Sequence, residues 1–333
     1  MTGRIDSSFS LRDLSLYSKE MEKLVPHLVV FGNFPFNPDI KLTDNGIKQG
    51  ELLAEALNYL DLKMKEGVGV IQNVYTDEEK KSCKAKEKTS LMFIPGKKGG
   101  KSVFITSGGA YMGVYNLFEG VSCGYYLAKL GYNVFVITYR VCRYPVVDNA
   151  MEDIARSYNY IKNHKELYDV DLTDYVFMGM SAGGHLAGEW GTLNVGSSVF
   201  GIPRPKALLL GYPALSTIDF LEDMENFRYT PGHIKVLRLY LNLIGGRNCG
   251  RKELTRYSVE YNMDKDYPKV YLIHSKDDDK VNFSTAQRMQ KAMEDNDIPH
   301  IVKIMDKGGH GFGPGFDTLE PMWLTEAINF SQS

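Results

Sequence analysis

With 333 residues, 43% of them hydrophobic, the chain is long enough for one α/β domain with insertions, and such folds often run this long as a single unit. A formal net charge of -2 gives no electrostatic case for a nucleic acid or an anionic membrane as partner. The 4 cysteines (Cys83, Cys123, Cys142, Cys249) are scattered without a Cys-x-x-Cys pair, which argues against a zinc site and against a disulfide framework.

In chain order, Met1 to Ser8 carry no apolar core of the kind a signal peptide needs, and the longest apolar runs fall far short of a membrane span. A cytoplasmic protein is therefore expected. Residues 1–66 read as a helical amino-terminal extension, available as a lid. Its clearest part is Ile47 to Lys65, where Leu52, Leu53, Ala56, Leu57, Leu60 and Leu62 recur at helix-compatible spacing. Residues 76–89, rich in Glu and Lys, read as a solvated hairpin, and Gly96 to Lys101 as a turn without phosphate-loop spacing. Lys101 to Thr106 is a strand pattern followed by Ser107-Gly108-Gly109-Ala110-Tyr111. Tyr175 to Met178 is a short apolar strand, followed by Gly179-Met180-Ser181-Ala182-Gly183 and then a helix start from Gly184 to Trp190. Ala207 to Gly211 is another strand.

The stretch 212–268 that follows is rich in apolar and aromatic residues such as Phe220, Phe227, Tyr229, Leu237 and Tyr240, and reads as a cap insertion over a pocket. Lys269 to His274 is a strand, and Asp277, Asp278 and Asp279 follow it. Three adjacent aspartates compete for one role there. An EF-hand calcium loop does not fit their spacing. His300 to Ile304 is a last strand, and His310 sits beyond it in a glycine-rich loop. Of the 7 histidines, only His310 is so placed; His185 and His274 read as structural.

A strand, a serine on a tight turn between glycines, and a helix make the nucleophile elbow of α/β-hydrolases, and the order Ser181, Asp278, His310 is the order of that fold. The chain resembles the hormone-sensitive-lipase-like branch, close to acetyl-xylan and feruloyl esterases, from about Val70 onward. The elbow Ser181 to Ala187 carries the resemblance, together with Thr138-Tyr139-Arg140-Val141, Ala150 to Asp153 and Tyr257 to Glu260. It implies a mostly parallel eight-stranded sheet flanked by helices, with a helical cap, in a single domain over 1–333. The branch's His-x-x-x-Asp-x-x-Val spacing, set on His274 and Val281, selects Asp278 as the acid. The oxyanion hole is implied to use the amides of Gly109, Ala110 and Ala182. Ser107 stands where the branch usually has histidine, which leaves the support of that loop open, while Gly109 and Ala110 are still expected to function.

These residues imply a serine carboxylesterase for short acyl groups, with acetyl first and carbohydrate esters as candidate substrates. Its partner is a small-molecule ester, and no metal or organic cofactor is required. Tyr111, next to the donor loop, is expected to narrow the acyl side. An amidase or peptidase of the same fold (arylformamidase-like) and a catalytically silent binding protein are the competing readings; a homodimer stays open.

Overall fold

The computed structural model describes residues 3–33, 35–226, 230–316 and 322–333. Its strands are β1 (Val30–Phe31), β2 (Ile71–Gln72), β3 (Ser90–Ile94), β4 (Lys101–Thr106), β5 (Gly113–Val114), β6 (Asn133–Thr138), β7 (Asp171–Met180), β8 (Ala207–Gly211), β9 (Lys269–Ser275) and β10 (His300–Met305). Eight of them form one sheet in the order β10-β9-β8-β7-β4-β6-β3-β2. From β6 to β10 the pairs are parallel, and β3 runs antiparallel to both its neighbours. With helices on both faces this is the α/β-hydrolase fold.

The period-2 alternation of a strand divides its side chains between two cores. Phe104, Phe135 and Phe177 point to one, with the helices Val146–Asn163 and Ala182–Trp190. Val103, Ile105, Val134, Val136 and Met178 point to the other. Burial on both faces explains why the central strands read as continuous apolar runs.

The second core is completed by the amino-terminal segment. Leu11, Leu14, Met21, Leu24, Leu53, Leu57 and Leu60 have no exposed surface there. The helix Ile47–Lys65 falls where its leucine spacing puts it. The sequence reading leaves this segment available as a lid; the structure places most of its leucines in the core under the sheet, with Leu16 and Leu62 exposed. One short piece reaches the other side: β1 pairs with β5, and Phe31 joins a cavity wall.

Residues 76–89 are not a hairpin. They form a helix, Asp77–Ser82, and a 3₁₀ turn, Lys84–Lys88. A capping box decides it: Thr76 accepts the Glu79 N–H while Glu79 accepts the Thr76 N–H. The stretch 212–268 is a set of helices, Thr217–Glu225, Pro231–Gly245 and Arg251–Thr255, with a short turn Val259–Tyr261. Phe220, Leu237 and Tyr240 face the cavity beneath it, while Phe227 and Tyr229 lie outside the described residues. Among the described residues no helix is long and apolar enough to cross a membrane.

Candidate active site

Ser181 stands between the end of β7 and the helix Ala182–Trp190, with φ 53° and ψ -122°. A non-glycine residue there is strained, and the contacts around it hold the strain. The Ser181 N–H donates to the Gly211 carbonyl at 3.0 Å, and the Ser181 carbonyl accepts from His185 and Ala214. The flanking glycines are required by close approach. A Cβ on Gly179 would sit 2.2 Å from the Gly183 carbonyl oxygen, and one on Gly183 2.2 Å from that of Thr106.

The structure brings Ser181, His310 and Asp278 into one chain of contacts. Ser181 Oγ lies 2.9 Å from His310 Nε2, and His310 Nδ1 lies 2.7 Å from Asp278 Oδ2. Asp278 Oδ1 accepts the backbone N–H groups of Lys280 and Val281, each at 2.9 Å. Burial alone would raise this carboxyl. Hydrogen bonds from His274 and then His310 outweigh it and hold Asp278 well below the usual carboxylate range. The other two aspartates point elsewhere. Asp277 accepts the Gly309 N–H at 2.8 Å, bracing the loop that carries His310, and exposed Asp279 pairs with Lys280.

His274, read from sequence as structural, has a specific task. Its Nε2 lies 3.1 Å from Asp278 Oδ2 and 3.0 Å from the Val281 carbonyl oxygen. Both are acceptors, so the proton sits on Nε2 and His274 orients the carboxylate. The histidine loop has further supports. Ser275 Oγ donates to the Gly309 carbonyl at 2.8 Å, and Asn45 Nδ2 donates to the Gly311 carbonyl at 2.7 Å. Gly309 (φ 63°) and Gly311 (φ 81°) flank His310 in left-handed backbone that glycine adopts without penalty.

The loop Ser107 to Tyr111 passes close to the serine. A Cβ on Gly108 would lie 2.6 Å from Ser181 Cβ. Gly109 (φ 138°) and Ala110 (φ 52°) turn the chain there, and both line the cavity with Ala182. Ala182 opens its helix, where an N–H has no intrahelical partner and the dipole favours negative charge. These amides are suited to a developing oxyanion. Support for the loop comes from the wide π-type turn Asn116–Val121. Ser107 Oγ donates to Asn116 Oδ1 at 3.0 Å, and Glu119 accepts the Gly108 N–H.

Ser181, His310, Gly109, Ala110 and Ala182 border one cavity of about 540 Å³. Phe31, Met112, Phe220, Val236 and Leu237 give it apolar walls; His233, Asp279 and Lys280 are polar. A second cavity of about 420 Å³ shares His233 and Asp279 and adds Thr230, Lys276 and Asn282. Tyr111 lies behind the wall rather than in it: it is fully buried, and its neighbours Ala110 and Met112 line the space. Its hydroxyl donates to His185 Nδ1 at 2.6 Å, because Nε2 of that ring donates to the Tyr257 carbonyl. Its ring stacks on Tyr240 of the cap at 5.5 Å.

The BD-FAE family model matches residues 92–293, more than half of the chain. The chain belongs to the BD-FAE family. Within this BD-FAE stretch lie Gly109, Ala110, Ser181 and Asp278, and His310 follows it. The chain is 26% identical to an acetylxylan esterase of Xylanibacter ruminicola, over 68% of this chain and 44% of that protein. It is 25% identical to endo-1,4-beta-xylanase B of Butyrivibrio fibrisolvens, over 61% of this chain and 31% of that protein. It thus spans less than half the length of these two relatives. Among solved structures, an acetyl ester-xyloside bifunctional hydrolase from Caldicellulosiruptor lactoaceticus superposes with a TM-score of 0.59 at 22% identity, covering 73% of this chain and 87% of that one. Esterase B from Lactobacillus rhamnosis gives 0.60 at 17% identity, covering 84% and 94%. Both likenesses speak for the BD-FAE chain's fold.

Proposed function

We propose that this protein is a serine carboxylesterase that hydrolyses short acyl esters, acetyl foremost, of carbohydrate alcohols. The observation that carries the reading is the contact chain Ser181 Oγ to His310 Nε2 to Asp278 at 2.9 and 2.7 Å, beside a cavity that Gly109, Ala110 and Ala182 line. His310 takes the Ser181 proton as Oγ attacks the ester carbonyl carbon. Asp278 keeps the His310 proton on Nδ1 and stabilises the imidazolium. The carbonyl oxygen becomes an oxyanion facing the amides of Gly109, Ala110 and Ala182; each such donor is worth about 3–4 kcal/mol in the transition state. The alcohol leaves with the proton from His310. Water, deprotonated by the same ring, then releases the acid from Ser181.

The substrate class draws support from two sides. The likeness to an acetylxylan esterase favours acetylated sugars. The cavity offers apolar walls for an acyl group, and its polar side chains His233, Asp279 and Lys280 suit a hydroxyl-rich alcohol. A panel of aryl acetate, butyrate and octanoate, sugar acetates and matched aryl amides tests this. We expect kcat/KM to fall steadily from acetyl to octanoyl, since an apolar pocket discriminates by only about 1–3 kcal/mol per methylene. Faster cleavage of octanoate, or of amides over esters, would overturn the substrate class and leave the triad standing.

A further inference from the structure

Glu119 is a buried carboxylate beside the nucleophile that the triad chemistry leaves without a task. It is 6% exposed and borders the cavity that holds Ser181. Its two oxygens bond to two different loops. Oε2 accepts the N–H of Gly108, the residue whose Cα faces Ser181. Oε1 accepts the hydroxyl of Tyr212 at 2.9 Å. Tyr212, itself fully buried just past β8, accepts the N–H of Gly313 on the same oxygen at 3.2 Å. Its ring meets the His310 imidazole edge-on, with centroids 4.9 Å apart.

We propose that Glu119 is a positioning residue that sets the oxyanion loop and the histidine loop relative to each other through Tyr212; this rests on the triad reading above. A carboxylate suits the place because both oxygens accept and neither needs a proton. Fixing the Gly108 N–H fixes the Ser107–Gly108 peptide plane, which leads into the positive-φ turn of Gly109 and Ala110. Fixing the Tyr212 hydroxyl fixes Gly313 and the ring against His310. Burial raises the Glu119 carboxyl above its usual value, and Gly108, Tyr212 and the nearby His310 offset this only in part. The geometry thus joins the oxyanion loop and the histidine loop through Glu119 and Tyr212.

Three variants test this with an aryl acetate and an organophosphonate label. Glu119→Ala removes both bonds and should lower kcat and the labelling rate about 10²–10³-fold, the loss of one oxyanion donor, with KM little changed. Glu119→Gln keeps one acceptor for Gly108 and should recover to within about tenfold of the parent. Tyr212→Phe deletes one oxygen, keeps the ring against His310, and should lower kcat about tenfold at unchanged KM. That variant decides the matter if Glu119→Ala does not fold. A Tyr212→Phe enzyme within about twofold of parent kcat, or losses confined to KM, would overturn the proposal. Ser181→Ala runs beside them: if it still labels and turns over, the triad reading itself fails, whereas its silence with unaffected Glu119 and Tyr212 variants sinks only this inference.

Discussion

Replacing Asp278 by asparagine changes one oxygen to an NH₂ group, and the surroundings dictate where that group must go. The Oδ1 site faces two backbone N–H groups, those of Lys280 and Val281, each at 2.9 Å. An NH₂ there would oppose two backbone donors that cannot shift their protons, whereas on the Oδ2 side His274 keeps the Val281 carbonyl as acceptor and the His310 ring can change tautomer, so the amide oxygen takes the Oδ1 side. The NH₂ then faces His310 Nδ1, where the carboxylate had accepted at 2.7 Å. Nδ1 is forced to accept, the ring proton moves to Nε2, and Nε2 no longer takes the Ser181 proton across its 2.9 Å contact. The wrong tautomer costs about 10⁴ in kcat, or about 5.4 kcal/mol of activation free energy. Asp277→Asn keeps an acceptor oxygen for Gly309, and Asp279→Asn breaks an exposed pair with Lys280 while keeping a polar group at the cavity. Both should stay within about tenfold of the parent. Burst-phase kinetics with an aryl acetate, supported by the phosphonate labelling rate, measures all three. Asp278→Asn within about tenfold of parent, or Asp277→Asn losing as much as Asp278→Asn, would refute the reasoning.

Ser181→Ala should abolish turnover and covalent labelling by an organophosphonate while the melting temperature holds, since the change deletes one hydroxyl; mass spectrometry and a thermal scan check both. Tyr111→Phe leaves the buried His185 Nδ1 without its donor and should cost about 1–3 kcal/mol in denaturant unfolding. Because Tyr111 lies behind the cavity wall, the acyl-length profile of that variant should match the parent's. Burial pushes Glu260 up from 4.5 to about 7, despite the Ser216 hydroxyl bonded to it. The folded state then holds more protons than the unfolded one between those values, so this group's contribution to stability is present below about pH 4.5 and is lost as the pH rises to about 7. Glu260→Gln should remove up to about 3 kcal/mol of that slope, read from unfolding midpoints at pH 5 and pH 8.

The elbow was legible because its demands are local. A tight turn beside β4 needs glycine at 179 and 183, and a pentapeptide shows that directly. His310 and the aspartate cluster were legible because each follows a strand with a plain apolar pattern. Glu119 and Tyr212 were not. Glu119 sits on a wide turn with no periodic signature, and its link to Gly313 is made only through the fold. Phe31 was missed for a similar reason, since a strand of two residues has no alternation to read. Tyr111 was misplaced because adjacency to the donor loop does not say which way a side chain turns when φ is 58°. The helix at 77–82 was a different failure: its capping box stands in the sequence, and charge density outweighed it.

The Asn45 bond to the Gly311 carbonyl joins positions 266 apart, so the site closes a circuit across nearly the whole polypeptide. His310 also lies 129 positions after Ser181, the serine it contacts. Translation at about 5–20 residues per second puts roughly 6–26 s between the emergence of the two. On the proposed mechanism the growing chain carries during that time a nucleophile with no base, and a chain ended before His310 stays in the same state. If the proposed triad holds, hydrolysis reports completion of synthesis through the histidine loop, and a synchronised cell-free translation is expected to show ester cleavage lagging behind folding of the sheet.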